Sequence, residues 1–158
     1  MAPHYKPVGG VERVVLYPAN AVHRAIFSSE GCRATLLGEA LEVELLDDAS
    51  SFEEVVECHN GTSKIEHRLN LVADRGDAED WMDADFLERA AIEGVVAVVE
   101  LSDGRSLLVG YSSRFGCEQP LRLRELSSAS GSKLHDTPTV TLQLVSCDTE
   151  FSCRINKL

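Results

Sequence analysis

A chain of 158 residues with a formal charge of −11 suits one domain and lacks the positive footprint that nucleic acid requires. Hydrophobic residues at 44% and charged residues at 26% are the balance of a folding chain, which excludes wholesale disorder. No apolar run approaches the ~20 residues of a membrane helix, so no membrane partner is expected.

The first ten residues, "MAPHYKPVGG", hold two prolines and two glycines and carry no apolar signal core. They read as a flexible N-terminal arm, residues 1–10, ahead of a single β-rich domain over 11–158. "ERVVLYP" (12–18) is a short strand stopped by Pro18. "AVHRAIF" (21–27) and "CRATLLG" (32–38) are strand candidates around the turn-like "SSEG". In "EALEVELLDD" (39–48), Leu41, Val43 and Leu45 face one way while Glu42 and Glu44 face the other.

"CHNGTSKIEH" (58–67) has three readings: metal ligands, a glycosylation acceptor and a hairpin turn. Placing Asn60-Gly61 at the centre of a type I′ turn pairs Glu57 with Lys64, Val56 with Ile65, Glu53 with Arg68 and Phe52 with Leu69. Charged pairs then share one face and apolar pairs the other, each worth about 0.2–1 kcal/mol, and a one-residue slip would scramble all four. The same register sets His67 opposite Glu54 and ~13 Å along the ladder from Cys58, too far for one zinc. The stretch therefore predicts a hairpin, with His67 and Glu54 as a polar cross-strand pair.

"DAEDWMDADFLERAAIEG" (77–94) predicts one helix around residues 78–93, capped by Asp77, Asp80 or Asp83. Met82, Phe86 and Ala90 form its apolar stripe, Leu87 and Ala91 widen it, and Gly94 stops it. A second hairpin follows, with Asp103-Gly104 at the tip and Val99 opposite Leu108, Val98 opposite Val109, and Val96 opposite Tyr111. "VVAVV" is apolar on both faces, which places that strand mid-sheet and covered on both sides. "QPLRLREL" (119–126) is a further strand, "SSASGSKLHDTP" (127–138) a polar loop, and "TPTVTLQLV" (137–145) the closing strand. "LNLVAD" (69–74) and "LQLVSCD" (142–148) are faintly alike, as two amphipathic strands often are. Eight to ten strands and one helix make an α+β chain, mainly antiparallel β, built as a sandwich or half-barrel with the helix packed on it.

The five cysteines are scattered without a CxxC, a pattern of reduced cytoplasmic thiols in which only Cys147 and Cys153 are placed for a local bridge. GxSxG, HExxH and P-loop motifs are absent. His135-Asp136 beside Ser127, Ser128, Ser130 and Ser132 reads as solvated loop. The acidic run Asp74, Asp77, Asp80, Asp83 and Asp85 lacks the order of a calcium loop and serves helix capping. The expectation is a non-enzymatic chain with no catalytic, cofactor-binding or metal residues. Arg114, Arg122 and Arg124, with Lys133 and His135, form a basic island suited to protein contact.

From about His67 to Ser152 the chain resembles small proteins encoded in the tail-gene region of bacteriophages and of prophages of gut anaerobes. The segment "HRLNLVADRGDAEDWMDADFLERAAIEGVVAVVELSDGRSLLVGYSSRFGCEQPLRLRELSSASGS" and then "DTPTVTLQLVSCDTEFS" carry the likeness, over a little more than half the chain. The resemblance implies a virion structural part related to tail-tube or tail-completion proteins, a β-sandwich with a flanking helix. It implies homo-oligomers or contacts with other phage tail proteins, in the bacterial cytoplasm during assembly and then in the virion. The alternative class is a small β-domain that binds a ligand or a host surface component, which needs an exposed aromatic platform.

Overall fold

The computed structural model describes residues 10–46, 49–130, 138–148 and 150–155. The strands are β1 Val11–Pro18, β2 Val22–Ser28, β3 Gly31–Leu36, β4 Leu41–Val43, β5 Ser51–His59, β6 Thr62–Asp74, β7 Val95–Leu101, β8 Ser106–Val109, β9 Arg122–Ala129, β10 Thr139–Asp148 and β11 Cys153–Arg154. The eleven strands among the described residues exceed the eight to ten expected because β4 and β11 are only three and two residues long. Mainly antiparallel β with short helices is the observed class.

Two sheets, ordered β11-β8-β7-β1-β4 and β5-β6-β10-β9, enclose one core, which makes the fold a sandwich. Val14, Ala97, Val99 and Val109 from the first sheet meet Leu69, Leu71, Leu142 and Leu144 from the second. The β2–β3 ribbon covers the outer face of the first sheet, where Cys32, Val96 and Leu108 form a smaller apolar cluster. That third layer explains "VVAVV": Val95, Ala97 and Val99 face one cluster, Val96 and Val98 the other. "LNLVAD" and "LQLVSCD" pair with each other, Leu69 with Leu144 and Leu71 with Leu142. Their likeness is that of two central strands presenting leucines to the same core.

The first hairpin has the register expected, Glu57 opposite Lys64 and Phe52 opposite Leu69. Asn60 at φ 49° and Gly61 at φ 83° supply the two positive φ values of a type I′ turn. The second hairpin is shifted by one residue, with Val99 opposite Leu107 and Val98 opposite Leu108. Its loop holds three residues, Ser102–Gly104, closed by hydrogen bonds from Leu101 N to Arg105 O (2.8 Å) and from Gly104 N to Leu101 O (3.0 Å). The Asp103 carboxylate accepts the Arg105 N–H and Nε–H, which holds the wider loop.

The expected single helix is broken into α1 Arg75–Ala78, α2 Ala84–Glu88 and a π-helical turn Arg89–Glu93. Aspartates cause the break by offering the backbone local partners. Asp74 accepts the Gly76 N–H at 2.8 Å, and Asp83, extended at φ −116° and ψ 178°, accepts the Phe86 N–H at 2.8 Å. Met82, Phe86 and Ala90 still meet the core, whereas Ala91 is exposed. β9 begins later than expected, because Leu121 is already paired with Val95 through two backbone hydrogen bonds. It also runs on to Ala129 opposite Thr139, so the start of the expected 127–138 loop is strand. A bulge between Gln143 and Leu144 lets Leu123 and Leu126, three apart, both pack on the core. Similarly, of the expected 39–48 strand only Leu41–Val43 pairs among the described residues 39–46, although Leu41, Val43 and Leu45 do share the core side. The arm over residues 1–9 and the loop over 131–137 lie outside the described residues.

Gly94 ends the π turn at φ 84° and ψ 176°, a region open essentially to glycine. A Cβ there would lie 2.6 Å from Pro120 Cγ and 2.8 Å from the Leu121 carbonyl, whereas one at Gly61 (φ 83°) meets nothing within 4 Å. Gly94→Ala is expected to cost about 3 kcal/mol, against about 1 kcal/mol for Gly61→Ala. Urea unfolding of the two variants measures the difference; equal losses would show that the Pro120 contact is not tight.

Candidate functional site

The residues that suggested chemistry in the sequence fall into three places. At one end of the four-stranded sheet the inward row turns polar, passing from Leu142 and Leu144 to buried Ser146 and Asp148 on β10 and to His67 on β6. His67 is 3% exposed, and its Nε2 donates to the Glu150 carbonyl at 2.9 Å. Its Nδ1 is buried without a hydrogen-bond partner, 3.7 Å from Glu54 Oε2. Glu54 instead accepts from the Ser152 amide (2.8 Å) and hydroxyl (3.1 Å). Serine, carboxylate and imidazole are thus neighbours, but the serine bonds the carboxylate and the imidazole bonds a carbonyl. The arrangement gives Ser152 no base; it ties the 150–152 segment to the β5–β6 hairpin.

Cys58 is exposed opposite Ser63 and His67 is buried opposite Glu54, so the ladder separates them as the register required. Among the described residues no group of three or more His, Cys, Asp or Glu is placed to hold a metal ion. Cys147 is on the outward row of β10 and Cys153 on β11 of the other sheet, so no bridge joins them. Cys153 contacts Cys32 instead, and burial followed by that neighbour raises the Cys32 thiol to about 11.

The third place is the pair of open strands that bound the four-stranded sheet. Among the described residues β5 pairs only with β6, and β9 only with β10. β5 carries Glu53, Glu54 and Glu57 and no cation, whereas β9 carries Arg122, Arg124 and Glu125. Arg122 donates to the Ile92 carbonyl at 3.3 Å, and Arg124 reaches Glu66, which also holds Arg68 at 2.7 Å. Arg68 and then desolvation and Arg124 govern the Glu66 carboxyl, with the net effect of lowering its pKa. Two exposed apolar side chains accompany these edges, Val56 (46%) on β5 and Ile92 (66%) beside Arg122. The hairpin also overhangs: among the described residues the last β6–β10 rung is Ile65 with Asp148, and residues 57–59 and 62–64 pair only with each other. Of the expected basic island, Arg122 and Arg124 share this edge. Arg114 is on the 110–121 loop, 5.7 Å over the Phe115 ring, and Lys133 and His135 lie outside the described residues. The acidic counterpart on β5 was visible as "EEVVE", but only strand order reveals that it bounds the sheet opposite the arginines.

Scans of family models, curated proteins and solved structures found no match to the chain.

Thiol chemistry and the polar end each give a measurable consequence. Cys58 and Cys117 are exposed, so they are expected to react first with a disulfide reagent at pH 8, and Cys32 only on unfolding. Because the unfolded thiol ionises near 9.0 and Cys32 near 11, its contribution to stability falls as pH rises across that interval. Mass mapping of the labelled cysteines decides the order. Glu54→Ala leaves the Ser152 amide without its acceptor and is expected to cost about 1–3 kcal/mol. Hydrogen exchange at Ser152 should then rise well beyond that of the β6–β10 amides; unchanged exchange would place the restraint elsewhere.

Proposed function

We propose that the chain is a non-enzymatic structural protein of bacteriophage or prophage virions, tail-associated, working by self-assembly or by docking on other tail proteins. The observation that carries the reading is the pair of open strands of unlike charge bounding one sheet. An open edge presents unpaired N–H and C=O groups to a neighbouring strand. The strands of this sheet alternate in direction, so β9 of one copy would meet β5 of the next in antiparallel sense. Glu53 and Glu57 on the outer face of β5 would then approach arginines on β9, and Phe52 on the inward face would approach Leu123 and Leu126. The two edges differ, so such a contact is head-to-tail and builds rings or open arrays rather than an isolated pair. The tail-region resemblance and the overhanging hairpin point the same way, and the Ser152–Glu54–His67 group, whose serine bonds the carboxylate rather than the imidazole, offers no competing chemistry.

Light scattering on the size-exclusion eluate, over a range from micromolar to hundreds of micromolar, tests the reading. Concentration-dependent species above the monomer are expected, diminished by salt and weakened more than about tenfold by Arg122→Glu with Arg124→Glu. A strictly monomeric chain that also fails to bind neighbouring tail proteins would overturn it.

A further inference from the structure

A cleft of about 270 Å³ lies between the broken helix and the rim of the five-stranded sheet, and none of its lining residues belongs to β5 or β9. One wall is aromatic: Trp81 meets Phe86 edge to face with ring centroids 5.1 Å apart. Trp81 and Phe86 are each only partly buried and both pack on the core, so their rings close it on one side and line open space on the other. The rim is acidic. Among the described residues Glu39, Asp83, Asp85 and Glu93 line the cleft with Arg89 as the one cation, four negative charges against one positive.

Two of those carboxylates are engaged. Asp85 holds Arg89 at 2.5 Å, and Asp83 caps α2 through the Phe86 N–H. Glu39 and Glu93 act on Arg89 only through the field, as weaker contributors than Asp85 to its raised pKa. They leave an excess of negative charge above an aromatic wall. Attraction to a ring face and to carboxylates selects the same kind of guest, a cation carried on an apolar stem.

We propose that this cleft binds an organic cation, an ammonium or guanidinium group whose apolar stem packs on Trp81 while Glu39 and Glu93 face its charge. The volume suits one such group, either a free amine or the basic side chain of a protein segment. The cleft takes no residue from either edge strand, so binding of a small cation is measured separately from assembly.

Trp81 is the only tryptophan in the chain, so its fluorescence reports this cleft alone. The full-length protein is titrated with Nα-acetyl-arginine amide, n-butylammonium and, as neutral control, Nα-acetyl-norleucine amide. The two cations are expected to change Trp81 emission saturably, with the neutral amide at least about tenfold weaker. Tighter binding of the arginine amide assigns the guest to a protein side chain, and tighter binding of butylammonium assigns it to a free amine. Glu39→Gln with Glu93→Gln, both exposed positions, should weaken the cations about fivefold or more. The exposed change Glu57→Gln, on the β5–β6 hairpin of the other sheet, should leave binding unaltered. Absence of saturation, an equal response to the neutral amide, or full affinity in the double variant would overturn the proposal.

Discussion

Ten antiparallel rungs between β6 and β10, from Asp74 with Thr139 to Ile65 with Asp148, are the constraint on which the rest of the molecule depends. They bring residues about seventy positions apart into register and so form late in any search dominated by loop closure. Their inward row supplies Leu69, Leu71, Leu142 and Leu144, each fully buried, to the core that the first sheet covers. β5 and β9 gain a place only by joining this pair, one on each side. The same ladder also ends the core: past Leu144 and Leu69 the inward residues become Ser146, Asp148 and His67, and the sheet turns from apolar to polar within two rungs.

The polar end explains why a group resembling catalytic residues sits where it does. A histidine at 3% exposure must place its polar atoms on partners, and the Glu150 carbonyl satisfies one of them. Its other nitrogen is left unbonded, and an orphaned buried polar atom costs about 1–3 kcal/mol. Glu54 is near enough to influence that nitrogen but is committed to Ser152. The group therefore anchors a segment that crosses from the second sheet to β11 in the first, a structural task that accounts for each of its members.

How far the fold was legible in the sequence depended on how many registers the residues allowed. At 52–69 the alternation of charge and apolar side chains admits one pairing, and the Asn-Gly turn agrees with it. At 95–109 both faces of β7 are apolar, so a one-residue shift exchanges one valine–leucine contact for another, and only the loop chemistry of Asp103 decides. The broken helix was unreadable for a related reason. Its aspartates were recognised as caps, but the number of caps used is set by packing, since Trp81 and Phe86 must meet while Gly94 abuts Pro120. Of the surface features, the arginines were visible in sequence as a cluster. That Glu39 faces the same cleft as Trp81 across some forty residues was not, because only the closed β1–β4–β7 sheet brings them together.

A net charge of −11 is spread unevenly, and the unevenness separates two kinds of surface. On the second sheet, cations stand among the carboxylates: Arg68 and Arg124 share Glu66, and Lys64 faces Glu57. Such balanced charge costs little to bring against a complementary strand, because each side chain exchanges one partner for another of like sign. At the Trp81 cleft the balance fails, with one arginine for four carboxylates. Capping accounts for Asp83 and ion pairing for Asp85, but neither accounts for Glu39 and Glu93, which raise the repulsion within the rim. Under the two proposals, the balanced sheet would accept a neighbouring strand and the unbalanced cleft a guest that brings the missing positive charge.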